Sequence, residues 1–187
     1  MRINQVLIIP AFDRDKNFGR IHEKYSEWDA IDCYVHSFME HLDNFGIRPF
    51  KSRENDLIYP NSLVVHCDAG WVDPKSKVKS SNYSAISYGT PNSRSLADIF
   101  AENTTGWGQN YVSNNHTTKD PKRGDTRPFM VTDKTISISI SPFMVNGPDV
   151  DSYIRFGPML GKMLAIAVAD FMTTRGEVPG MMNAYRA

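Results

Sequence analysis

The chain has 187 residues, 41% of them hydrophobic and 22% charged, with 21 basic and 21 acidic side chains. That length suffices for one domain with a real core, and the balanced charge lacks the basic surplus that phosphate neutralisation needs, so no nucleic-acid partner is expected. Cys33 and Cys67 are too few for a disulfide framework and are expected to be free thiols.

In chain order, "INQVLIIP" reads as a buried strand over roughly 4–9, stopped by Pro10. Its apolar run is short and preceded by a single Arg, so no cleavable export signal is expected. Residues 11–25 are polar and irregular. At Ser26 a helix begins: "SEWD" places an acidic residue three positions after a serine, the pattern of a capping box. Trp28, Ile31, Val35, Phe38, Leu42 and Phe45 then form one apolar stripe at helical spacing, and Asn44 and Gly46 close it. "IRPFKS" (47–52) is a short strand whose proline suits a sheet edge. "SLVVHC" (62–67) is a buried strand that delivers His66, Cys67 and Asp68 to its C-terminal end.

"YSAISYG" (83–89) is a further strand. "NSRSLADIFAEN" predicts a helix capped by Ser95, with Asp98 completing a second box. Residues 104–126 predict one long loop, "PFMV" (128–131) and "TISISIS" (135–141) two strands, and a final helix begins near Pro158, followed by a tail over 173–187. The apolar stretch of that helix, "MLAIAVADFM", is too short to span a bilayer, so no membrane partner is expected. Strands alternating with helices imply a single α/β domain over 1–187, with a mostly parallel twisted sheet between helices on both faces. Ligands of such sheets sit beyond the carboxyl ends of the strands, where His66 and the segment after Pro10 lie.

The order of these pieces, over about 5–172, resembles the zinc-dependent N-acetylmuramoyl-L-alanine amidases of the autolysin and phage-lysin kind. Members of that family cut the amide between muramic acid and the peptide of peptidoglycan. They open with a strand ending D-P-G-H-G, carry a Glu at the start of the first long helix, and continue with a strand ending S-I-H-x-N. Near their end come V-E-x-G-F and x-S-N before a terminal helix. The two histidines and the first Glu bind zinc; the late Glu is the general base.

Here "VLIIPAFD" occupies the first motif, the helix opening with "SEW" puts Glu27 at the ligand position, and "LVVHCDA" puts His66 at the second histidine. "SAISYG" with "SRSLADIFAEN", "RGDTRPFMV", and "ISISPFMVNGPDVDSYI" are similar to the later pieces. The departures fall on the chemistry. Phe12 stands at the first histidine position, and Ile140 stands at the position of the late Glu.

Phenylalanine cannot ligate a metal and isoleucine cannot accept a proton. The resemblance therefore implies a pseudo-amidase, the fold retained as a structural or binding module. The missing export signal and wall-binding domain suggest a phage protein made in the cytoplasm and built into the virion, with other phage chains or peptidoglycan as partner.

The alternative is an active, endolysin-like amidase with a rewired zinc site. In it Asp13, His22, Asp68 or His116 would join Glu27 and His66 as third ligand. Each has a simpler role open to it: Asp13 as a turn residue, His22 and His116 as exposed polar groups, Asp68 as a loop cap. If Glu27 and His66 are available, Phe12→His alone is expected to complete a three-ligand set.

Overall fold

The computed structural model describes residues 3–12, 14, 15, 17–51, 61–71, 83–88, 91–105, 109–113 and 135–175. Strand β1 (Gln5–Pro10) is followed by a small hairpin of β2 (Ile21–His22) and β3 (Tyr25–Ser26), then helix α1 (Glu27–Asn44). After these come β4 (Pro49–Lys51), β5 (Ser62–Cys67), β6 (Tyr83–Tyr88), α2 (Pro91–Asn103), β7 (Gln109–Ser113), β8 (Ile136–Ser141) and α3 (Val150–Thr174). Six strands form one sheet in the order β4-β1-β5-β8-β6-β7. All neighbours run parallel except β6 and β8, which are antiparallel. The expected mostly parallel α/β sheet is therefore present, and β4 takes the edge place that its proline suggested.

Alternation along the strands divides the sheet into two faces. Val6 and Ile8, Leu63, Val65 and Cys67, and Ile136, Ile138 and Ile140 join one apolar cluster that includes buried side chains of α1, α2 and α3. Leu7, Ile9 and Val64 form a smaller cluster; by alternation they belong to the opposite face.

Helix α1 starts as its sequence predicts. Asp29 donates its backbone N–H to the Ser26 hydroxyl, and the Asp29 carboxylate accepts from the Ser26 N–H, closing the capping box. It ends at Phe45, with Gly46 at φ +73°, the left-handed conformation that glycine adopts without penalty. Across α1 lies α3, and the two meet at a seam of small residues. A Cβ on Gly157 would run into Cys33, and one on Gly161 would collide with the Tyr34 carbonyl oxygen and come 2.7 Å from the Phe38 nitrogen. The four-residue spacing puts both glycines on one side of α3. The Ser37 hydroxyl donates to the Pro158 carbonyl at 2.8 Å and ties the helices at this point.

Several boundaries differ from those the sequence predicts. α3 begins at Val150, two turns before Pro158. Pro158 cannot donate to the helix ladder, yet the helix runs through it because the seam with α1 holds both sides. Stacking of Tyr153 on Phe143 at 5.3 Å anchors its first turns. The resulting 25-residue helix is long and apolar enough to cross a membrane, but half of its most apolar window is buried inside the domain, as in a core helix.

α2 begins at Pro91, so Ser95 and Asp98 lie inside the helix and make no cap; proline suits a first helical turn because no N–H is needed there. Instead Ser93 is buried, and its hydroxyl accepts the Ser137 backbone N–H at 2.9 Å. Within the expected long loop, 109–113 form β7, paired with β6 at the edge of the sheet among the described residues. The hairpin β2–β3 likewise replaces part of the irregular 11–25 segment. Residues 106–108 and 114–126 of the expected loop, the expected strand at 128–131 and residues 176–187 lie outside the described residues.

Candidate functional site at the carboxyl edge of the sheet

From β1 the chain crosses through α1 to β4 on one side; β5 then lies on the other. The space beyond the carboxyl ends of β1 and β5 is thus a topological switch point, the usual ligand position in open α/β sheets. Three segments converge there: the chain from Ala11 to Glu27, the end of β5 with the residues to Trp71, and the end of β8. Backbone bonds join them. The Ala11 N–H donates to the Cys67 carbonyl at 2.8 Å, Asp68 N–H to Ile140 at 2.8 Å, and Gly70 N–H to Phe143 at 2.9 Å.

Glu27, the first residue of α1, is buried. The chain before it doubles back through the β2–β3 hairpin, so that the Glu27 N–H donates to the Arg20 carbonyl at 2.9 Å and Trp28 N–H to Phe18 at 3.0 Å. This return brings Arg20 onto the Glu27 carboxylate. Nη2 and Nε donate to Oε1 at 2.6 and 3.1 Å, and the Arg20 backbone N–H donates to Oε2 at 2.7 Å. The carboxylate is 3% exposed, while the Arg20 side chain is 58% exposed, so the pair reaches from interior to surface. The guanidinium also lies over the Trp71 ring, 4.3 Å from its centroid, a cation–π contact.

Gly19 makes this closure possible. It adopts φ +75°, and a Cβ there would come 2.6 Å from Glu27 Oε2, 2.7 Å from its Cβ and 3.0 Å from Cδ1 of Phe12. Phe12, Gly19, Arg20 and Glu27 therefore form one packed group, with Phe12 also against the main core.

His66 is buried near the end of β5, in register with Ile9 of β1 and Ser139 of β8. By alternation it takes the face opposite Val65 and Cys67. Ile140 is 2% exposed and belongs to the helix-side core; the residue beside His66 on β8 is Ser139. Asp68 turns its Oδ1 back to the Ala69 N–H at 2.8 Å, as a loop cap does, and its carbonyl accepts the buried Tyr34 hydroxyl at 3.1 Å. His22 lies edge-on to Trp71, with ring centroids 6.1 Å apart. It lines a half-open cleft of about 540 Å³ between the hairpin and the 146–151 turn, with Lys24, Tyr25, Pro148 and Asp151. Asp13 and His116 lie outside the described residues.

A hydrolytic zinc site needs three protein ligands and an open position. Phe12 has no donor atom, and both Glu27 oxygens accept N–H bonds from Arg20. Among the described residues no three His, Cys, Asp or Glu side chains come together as a metal-binding group. The described residues do not fit a zinc ion. Sequence reasoning missed Arg20, Gly19 and Trp71. A Gly-Arg pair seven residues before a helix-start Glu was the available signal, but nothing in the spacing shows that a hairpin folds it back.

The class is an open α/β sheet with its candidate site at a switch point. No family model and no curated protein match the sequence. Solved structures do. The N-acetylmuramoyl-L-alanine amidase AmiC2 of Nostoc punctiforme superposes with a TM-score of 0.63 at 13% identity, covering 92% of this chain and 97% of that one. The CwlD amidase of Clostridioides difficile, solved with the GerS lipoprotein, gives 0.66 at 13% identity over 91% and 100%. The catalytic domain of the CD27L endolysin gives 0.64 at 8% identity over 89% and 97%. The chain has the fold of the N-acetylmuramoyl-L-alanine amidases.

Proposed function

We propose that this chain is a pseudo-amidase: the amidase fold kept as a structural or binding module, its hydrolytic chemistry lost. What supports this reading is the apolar side chains at two positions that the resemblance assigns to the hydrolytic chemistry. Phe12, at the first histidine position, packs on Gly19 and the core. Ile140, at the position of the general base, is buried against the helical layer. A metal-bound water is useless without a group to take its proton, a contribution typically worth roughly 10²–10⁴-fold. The module would serve in a phage particle, held by other protein chains or by peptidoglycan. An endolysin catalytic domain among the structural neighbours, and another neighbour solved with a lipoprotein, make both kinds of partner reasonable for this fold.

The competing reading is a working amidase with a rewired zinc site. It is favoured by the burial of Glu27 and His66, two residues of the family's ligand types, near the carboxyl ends of the strands. The test is metal content of the purified protein beside release of free peptide from peptidoglycan with added zinc. No release and no stoichiometric zinc are expected. Zinc-dependent amide cleavage by the unmodified chain would overturn the proposal in favour of the enzyme.

A further inference from the structure

We infer that the Arg20 guanidinium is the internal replacement for a metal cation at Glu27, so that this edge of the fold is held by an ion pair of the chain itself. The inference rests on the pseudo-amidase reading and goes further, by naming what took the metal's place.

Three observations carry it. First, both Glu27 oxygens are engaged: they receive three N–H bonds, two from the guanidinium on Oε1 and one from the backbone of the same residue on Oε2. A metal would have to take a carboxylate lone pair at about 2.0–2.2 Å, and the short Nη2–Oε1 bond occupies that approach. Second, the arrangement is built. Gly19 has the one backbone conformation and the one missing Cβ that let residues 19 and 20 close over the carboxylate. The Trp71 ring fixes the guanidinium from its other side. Third, the electrostatic need is real. A carboxylate buried at a helix start keeps its charge only when compensated, and the helix dipole alone supplies about half a charge. Guanidinium is permanently charged and its fork matches a carboxylate, which suits it to the task better than lysine.

One consequence changes an expectation from sequence. Phe12→His alone should not create a zinc site, because Glu27 remains engaged by Arg20. Removing Arg20 at the same time should free the Glu27 carboxylate for the metal.

The experiment combines a stability cycle with zinc titration, neither of which reads activity. Thermal unfolding is compared for wild type, Arg20→Met, Glu27→Gln and the double variant. Arg20→Met is expected to lose about 5 °C in Tm, and the double variant to recover most of that loss, because an amide needs no counter-ion. Calorimetric zinc titration then compares Phe12→His with Phe12→His/Arg20→Met. The second is expected to bind zinc at least about tenfold more tightly, with a matching zinc-dependent rise in Tm. Should Arg20→Met not accumulate as folded protein, Arg20→Lys replaces it in both arms, with a smaller loss of Tm and a smaller gain in zinc affinity expected. Additive Tm changes around the cycle would overturn the inference. So would a zinc response that is equal, or absent, with and without Arg20: the contact would then be an ordinary ion pair. Peptidoglycan cleavage by the wild-type chain counts against the loss of catalysis, not against the pairing, so the two failures are distinguishable.

Discussion

The α1–α3 seam and the carboxyl edge of the sheet are both closed by glycine, but they use it for opposite ends. At the seam, Gly157 and Gly161 remove side chains so that two helix backbones approach, and the contact is mostly apolar. At the edge, Gly19 removes a side chain so that a loop can fold over a charged group and deliver a cation to it. The first contact rests mainly on shape, with the single Ser37–Pro158 hydrogen bond beside it. The second requires that a buried carboxylate finds N–H donors and a counter-charge, and it is correspondingly specific about which residues stand nearby. In a fold shared with hydrolases, the seam is scaffold and the edge is where chemistry would sit. On the proposed reading, this edge is finished like scaffold.

The comparison breaks most visibly at the seam. Gly161→Leu places a branched side chain where even a Cβ collides with the Tyr34 carbonyl and the Phe38 nitrogen. Neither backbone atom can yield without moving α1. A loss above about 3 kcal/mol is expected from overpacking of this severity, read by chemical denaturation. A loss below 1 kcal/mol would mean that the helices slide apart freely.

Alkaline pH tests the seam at Cys33 and the end of β5 at Cys67. Burial pushes the Cys33 thiol up to about 12, against an ordinary value of 9.0, and pushes Cys67 and the Tyr34 hydroxyl up as well. These groups are neutral in the fold and ionise more easily in the unfolded chain. Their contribution is thus fully present below pH 9 and is lost as pH rises from 9 through 12. By pH 10 the loss is roughly 1 kcal/mol per thiol, seen as a falling denaturation midpoint, with both thiols slow to alkylate while the protein stays folded. Rapid alkylation of Cys67 in the native state at pH 8 would contradict its burial.

Gly19→Ala perturbs the edge instead. It forces a side chain into φ +75° and towards Glu27 Oε2. A loss of about 1–2 kcal/mol is expected from backbone strain together with a disturbed Arg20–Glu27 pair. If the loss persists undiminished in an Arg20→Met background, only the backbone matters, and the edge is less particular than the comparison claims.

Much of the scaffold was legible in the sequence because it rests on local rules. The capping box at Ser26 and the closing glycine at Gly46 are where the spacing puts them, and "SLVVHC" is a strand over its expected span. α2 starts at Pro91 and not after Ser95, the cap its sequence suggests, and only packing shows that Ser93 serves the Ser137 N–H. The α3 start was misjudged because Pro158 reads as a boundary until α1 is laid against it.

The candidate site divides the same way. The residue types at Phe12, Glu27, His66 and Ile140 were legible in the sequence, since side-chain chemistry does not depend on the fold. What Glu27 is bonded to was not. Arg20 lies in a segment with no periodicity, and its pairing depends on a hairpin of two-residue strands that has no sequence signature of its own. Likewise Ser139, not Ile140, stands beside His66, because strand register is set by neighbouring chains. Tertiary structure decided which groups are paired, since burial makes pairing obligatory and only the folded chain determines what comes within reach.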